Sequence, residues 1–264
     1  METVYFSCPS IIEPCSLEGF NYQIDPYINC EHKCLYCYTQ NQSKLDWETQ
    51  IGIYLDMKRR LKTELSLLKP QKIYMGMNTD PYQPMERRYK ATRKVLNLLK
   101  REGFSVSILT KSDLVTRDME LFKKMPDPSI GTSVAFQEEW IRRLFEENSI
   151  SNQLRIKALS KLKREGIKTY ALICPVMPYI TNVELLINNV YSYVEKIWIY
   201  PLKINSEKDK NWRKIKPIVK KYFPSIFKKF EEAVFLPKHS YWNELKIRLE
   251  NLKMKKNFNL EICI

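Results

Sequence analysis

The feature that most restricts the fold is the exchange of two hydrophobic periodicities between about residues 20 and 202. Apolar, β-rich runs at 20–25, 72–77, 105–110, 129–135, 168–174 and 196–200 alternate with amphipathic stretches near 48–68, 86–102, 115–124, 151–165 and 182–194. Strands separated by helices of ten or more residues return parallel to one another. Six such units predict an α/β fold, a partial (β/α)6 TIM-type barrel occupying residues 1–204. The tetrapeptide Lys-Arg-Glu-Gly stands at 100–103 and again at 163–166, each time just before a strand. Its cations suit the electronegative end of a helix, and its glycine supplies the left-handed residue that stops one.

After Pro201 the pattern changes. Helical stretches are expected at 211–221, 224–232 and 239–252, with an edge strand at 258–262, giving a mostly helical extension over 205–264 packed on the barrel. From Lys196 onward there are 17 basic and 7 acidic residues, so +10 of the overall +14 falls in the last quarter. Such a basic face suits a polyanion, and it equally suits a solvated lysine surface. Trp212, Tyr222, Phe223, Phe227, Phe230, Tyr241 and Trp242 are interleaved with these lysines. Aromatics at this spacing are expected mainly to pack helices onto the barrel, stacking on bases being their alternative use.

Composition narrows the class. Hydrophobic residues make up 44% and charged residues 28%, which excludes global disorder. No apolar run nears the roughly 18 residues needed to span a bilayer. The first six residues lack a basic n-region, so the expectation is a cytoplasmic protein without a membrane partner. Seven cysteines in a reducing compartment are thiols rather than a disulfide framework.

Three of them cluster as Cys30-Glu31-His32-Lys33-Cys34-Leu35-Tyr36-Cys37, directly after the first predicted strand. A Cys-x3-Cys-x2-Cys loop brings three thiolates to one metal centre. Thiolates hold iron–sulfur clusters, normally one per iron, and three ligands to four irons leave one iron open to another molecule. The competing reading is structural zinc, with His32, Cys8, Cys15 or His239 as fourth ligand, although no second paired half completes a usual finger. Cys8, Cys15 and Cys263 also allow an auxiliary cluster, without a spacing that matches a cluster motif.

The run from Ile24 to Tyr38 resembles the radical SAM superfamily, and more narrowly its branch related to spore photoproduct lyase, often labelled DNA repair photolyase. Gly76-Met77-Asn78-Thr79-Asp80-Pro81-Tyr82-Gln83-Pro84, then Glu86-Arg87-Arg88-Tyr89, and Ser107-Ile108-Leu109-Thr110-Lys111-Ser112 strengthen the likeness. The resemblance implies that Cys30, Cys34 and Cys37 bind three irons of a [4Fe-4S] cluster. S-adenosylmethionine then chelates the fourth iron and yields a 5′-deoxyadenosyl radical that abstracts hydrogen from substrate. It implies cofactor contacts from Tyr36, Asn78, Thr79 and Asp80, a cation at Lys111 for the methionyl carboxylate, Ser133 near a ribose hydroxyl or that carboxylate, and Pro175 beside adenine. Tyr36, Tyr38 and Cys174 are the candidates for hydrogen-atom transfer, and a flavodoxin or ferredoxin is the implied electron donor.

The match departs in one informative place. That lyase carries a hydrogen-donating cysteine after the second strand, where this chain reads Gly76-Met77-Asn78-Thr79. A thioether has no S–H to give, so the same reaction does not finish in the same way. Three readings follow: a radical SAM enzyme acting on nucleic acid, one acting on a peptide, protein or metabolite, or a non-enzymatic zinc module that binds nucleic acid.

Overall fold

The computed structural model describes residues 1–7, 10–236 and 238–264, so Cys8 lies outside the described residues. The strands are β1 (Glu2–Phe6), β2 (Glu13–Pro14), β3 (Tyr22–Gln23), β4 (Tyr27–Ile28), β5 (Gln50–Tyr54), β6 (Lys72–Met75), β7 (Ser105–Thr110), β8 (Ser129–Val134), β9 (Lys168–Val176), β10 (Lys196–Pro201) and β11 (Leu260–Ile262). The helices are α1 (Met57–Leu65), α2 (Glu86–Tyr89), α3 (Ala91–Arg101), α4 (Met119–Phe122), α5 (Glu139–Phe145), α6 (Asn152–Arg164), α7 (Val183–Val190), α8 (Lys210–Tyr222), α9 (Phe227–Phe235) and α10 (Ser240–Lys256).

Strand side chains alternate between two faces, and the central strands use both. Ile73, Met75, Val106, Ile108, Ile130, Val134, Ala171, Ile173, Ile197 and Ile199 point outward and are buried under the helices. The opposite, concave face carries polar and aromatic groups. Ser107 Oγ lies 3.4 Å from Tyr170 Oη, and the Tyr170 and Trp198 rings meet edge-on at 5.3 Å. Gly131 is required there, since a Cβ on it would fall 2.1 Å from the Tyr170 ring.

The sheet runs β11-β10-β9-β8-β7-β6-β3-β2. Every pairing from β3 to β11 is parallel, and β2 joins β3 antiparallel at the edge. The expected edge strand therefore forms as β11, a seventh parallel strand, and the sheet does not close among the described residues. α10 delivers β11 and shares the outer core of β9 and β10, whereas α8 and α9 pack against the cysteine loop. Trp212 and Phe230 are wholly buried there with rings stacked 6.1 Å apart, and Tyr241 is buried in the first turn of α10. The packing use of these aromatics prevails, while Tyr222 stays exposed.

Some expected elements differ. The helical stretch at 48–68 is a strand followed by a helix: β5 is sandwiched between β1 and β4, and only α1 is helical. A five-residue apolar run carries too little periodicity to separate the two states. The stretch at 86–102 breaks at Lys90, whose φ is +53°. That at 115–124 is a 3-10 turn leading into α4, and α5 was not expected. Among the described residues no helix is long and apolar enough to cross a membrane.

Candidate active site

The cysteine loop leaves β4 through Asn29, which adopts φ +67°, a left-handed conformation that asparagine tolerates. Its side-chain amide donates to the carbonyls of Asp46 (3.1 Å) and Gln50 (3.0 Å). Its own carbonyl accepts from Thr79 Oγ1 (2.5 Å) and Gln83 Nε2 (3.1 Å). Gln83 Oε1 accepts the Glu31 N–H at 2.8 Å, and the Glu31 carboxylate accepts the Met85 N–H at 2.6 Å. Gln40 Nε2 donates to the carbonyls of Leu35 and Cys37, both at 2.9 Å. The Thr-Asp-Pro-Tyr-Gln-Pro segment thus straps the loop down on the C-terminal side of the strands, where parallel barrels keep their active sites.

Cys30 and Cys34 are buried, and Cys37 and Cys174 are half-buried. Burial pushes the Cys34 thiol up to about 12 and Cys174 to about 11, and it raises Cys30 well above the usual thiol range. Among the described residues no three His, Cys, Asp or Glu side chains gather around one point as a single ion requires. Ligands of a polynuclear cluster each take a different iron and need not converge. Three thiols on one strapped loop therefore fit an iron–sulfur cluster, and they do not form the closed shell of structural zinc.

The other expected residues come together around this loop. Asp80 Oδ1 accepts from Thr110 Oγ1 (2.6 Å) and the Tyr82 N–H (2.8 Å), and its Oδ2 accepts the Lys111 N–H at 2.7 Å. Asn78 donates from its backbone (3.1 Å) and side chain (2.9 Å) to Asp25 Oδ2. The side chains of Asn78, Thr79 and Asp80 are thus occupied by protein partners. Lys111 differs: among the described residues its ammonium has no ion-pair partner, and it lies 5.8 Å from the Tyr36 ring centre. Ser133 Oγ donates to the Cys174 carbonyl (2.9 Å), which brings β8 and the Cys174-Pro175 corner of β9 together. Tyr38 donates to the Met77 carbonyl at 2.8 Å. Cys15 and Cys263 are half-buried; Cys263 follows β11, and its N–H donates to the Ile199 carbonyl.

Three functional candidates had not been singled out from sequence. Glu146 and Arg155 form a wholly buried ion pair at 2.5 Å, and Tyr36 donates to the same carboxylate. Arg155, with Lys111 and the Tyr36 hydroxyl, holds Glu146 ionised against burial, at a pKa of about 2. Asp25, at the end of the first barrel strand, keeps Oδ1 buried without a partner, and burial raises its pKa to about 6. Neither carboxylate has a spacing signal, because each acquires its role from a residue distant in sequence.

The family model described as the Radical SAM superfamily matches residues 24–186. An uncharacterized protein of Methanocaldococcus jannaschii is 33% identical over 213 residues, covering 79% of this chain and 81% of that one. An uncharacterized protein of Mycobacterium tuberculosis is 27% identical over 175 residues, and the match spans 52% of its length. Among solved structures, a spore photoproduct lyase variant with bound AdoMet and dinucleoside spore photoproduct superposes with a TM-score of 0.64. The identity is 15%, over 84% of this chain and 66% of that one. Streptococcus suis SuiB, bound to its precursor peptide SuiA, gives a TM-score of 0.57 at 13% identity, over 90% of this chain and 47% of that one. At such identities the two structures share a fold with this chain.

Proposed function

This chain belongs to the radical SAM superfamily, and on that premise we propose that it reductively cleaves S-adenosylmethionine and turns the resulting radical on a nucleic acid. The observation that carries this reading is the strapped loop bearing Cys30, Cys34 and Cys37 at the C-terminal side of a parallel sheet. When bound, a [4Fe-4S] cluster and S-adenosylmethionine supply an electron to the sulfonium and a 5′-deoxyadenosyl radical for hydrogen abstraction.

The chain's own residues do the rest. Cys30, Cys34 and Cys37 would each hold one iron, and the strap through Thr79 and Gln83 fixes their loop before any cofactor arrives. The Lys111 ammonium, without an ion-pair partner among the described residues, suits the anionic end of a methionyl group, with Asn78, Thr79 and Asp80 lining the turn beside it. Tyr36, Ser133 and Pro175 frame the far side. Tyr38 follows Cys37 and donates to the Met77 carbonyl, Cys174 is half-buried beside Ser133, and we assign hydrogen transfer to their O–H and S–H groups. A flavodoxin or ferredoxin is the matching electron source.

The nucleic-acid assignment rests on the lysines of 205–264. Lys220, Lys221, Lys228 and Lys229 are exposed, and among the described residues none is ion-paired. Two measurements test the proposal. Anaerobically reconstituted protein with dithionite and S-adenosylmethionine should release 5′-deoxyadenosine, with Cys37→Ala as the silent control. A protein that carries a full cluster and releases none, with DNA or RNA present, refutes the reading. Binding to single-stranded DNA should weaken about 50-fold between 50 and 200 mM salt if four phosphates are contacted. Salt-insensitive binding would remove nucleic acid and leave a peptide or metabolite substrate.

A further inference from the structure

Beneath the cysteine loop lies a charged assembly that the proposed chemistry does not yet use. Arg155 projects from α6 and places four of its five N–H groups: Nε on the Ile150 carbonyl (3.1 Å), Nη1 on the Ser133 carbonyl (2.8 Å), and Nη2 on Glu146 Oε2 (2.5 Å) and Ser149 Oγ (2.6 Å). Glu146 Oε1 accepts from Tyr36, which lies between Cys34 and Cys37. Neither member of the ion pair is exposed. The pair therefore couples α6, the end of β8 and the cysteine loop at one point. Aromatic packing closes it off, with Tyr36 against Phe136 at 6.2 Å and Phe136 against Phe145 at 5.1 Å.

The charges around Cys34 do not cancel. Lys111 and Arg155 are cations and Glu146 is an anion, while Asp80 acts on the Cys30 side. Burying an ion pair is costly, and a chain with only a structural need is often as stable with an apolar pair of equal volume. What an apolar pair cannot supply is a fixed field in a medium of low dielectric.

We propose that Glu146 and Arg155 are positioning residues for the cluster: they pin Tyr36 between two of its cysteine ligands, and their opposite charges balance there so that the Lys111 cation acts on the site unopposed. This rests on the radical SAM reading above and adds a residue pair to it. A reduced cluster is more negative than an oxidised one, so the local charge is read out as its midpoint potential.

The test is an anaerobic redox titration of the reconstituted cluster, followed by electron paramagnetic resonance. Glu146→Gln removes the anion, and the potential should rise above wild type. The double variant Glu146→Gln/Arg155→Met removes one charge of each sign, and its potential should return close to wild type. Arg155→Met removes the cation alone and should lower the potential below wild type, which covers the case in which Glu146→Gln fails to fold. A purely structural pair would instead leave every variant at the wild-type potential with lowered melting temperatures, and that result overturns the proposal. A double variant shifted away from wild type as far as Glu146→Gln alone also overturns it. Wild-type protein that assembles no cluster overturns the radical SAM function together with this inference, whereas a normal wild-type cluster with unresponsive variants overturns this inference alone.

Discussion

Asp25 is a carboxylate that folding places in the wrong solvent. Burial outweighs the hydrogen bonds from Asn78 and the Gly76 N–H, Glu13 adds repulsion, and Tyr38 and Tyr74 stand near it unionised. Its folded pKa of about 6 exceeds the usual carboxylate value, so the folded chain binds this proton more tightly than the unfolded one. Its contribution is therefore best below about pH 4 and declines as pH rises through about 6, by up to about 3 kcal/mol. Asp25→Asn escapes that decline. Thermal melts at pH 4 and 7 should show the variant gaining on wild type by up to this amount, and a pH-independent difference would mean that Asp25 stays ionised. Gly76 is constrained by geometry instead. At φ +105°, with the Leu109 carbonyl oxygen 2.3 Å from where a Cβ would sit, Gly76→Ala should cost more than about 2 kcal/mol in denaturant unfolding.

Single elements explain what the sequence reveals and what it conceals. The strap after β6 is one, and Gln83 is its centre, with bonds to Asn29, Glu31 and Thr79. Gln83→Ala leaves the half-buried Glu31 N–H without its acceptor and should cost about 1–3 kcal/mol, seen as a lower unfolding midpoint. β11 is another. Leu260 is 1% exposed in the core shared by β10 and α10, so Leu260→Ala should cost about 2–5 kcal/mol. A loss under 0.5 kcal/mol, the size of an exposed substitution, would mean that β11 is a loose tail. The alternation of periodicities made β6 to β10 readable, because each buries an apolar outer face under a helix. β5 was not readable, since its five residues owe their state to partners 48 and 26 residues earlier, at Glu2 and Tyr27. The thiols were legible as a spacing. The Glu146–Arg155 pair was not, because nothing local distinguishes a buried glutamate from a solvated one.

At the scale of the molecule, charge and topology decide what can approach. α8 carries six basic residues and no acidic one and packs against the cysteine loop, so a cationic helix borders the candidate active site. Changing Lys220, Lys221, Lys228 and Lys229 together to Gln should flatten the salt dependence of single-stranded DNA binding. Each lost phosphate contact takes about 0.7 from the slope of log affinity against log salt. An unchanged slope would move the contact surface elsewhere.

The sheet that stops at β2 on one side and β11 on the other has a seam as well as a mouth. A substrate reaches the strand-end loops at that mouth from outside, since the interior of the ring is filled by side chains. A gap between the outer strands widens the approach, so that a chain molecule can lie across those loops at any point along its length. A nucleic acid bound in the proposed way therefore needs no terminus, and a single-stranded circle should compete for binding as well as a linear strand of equal length.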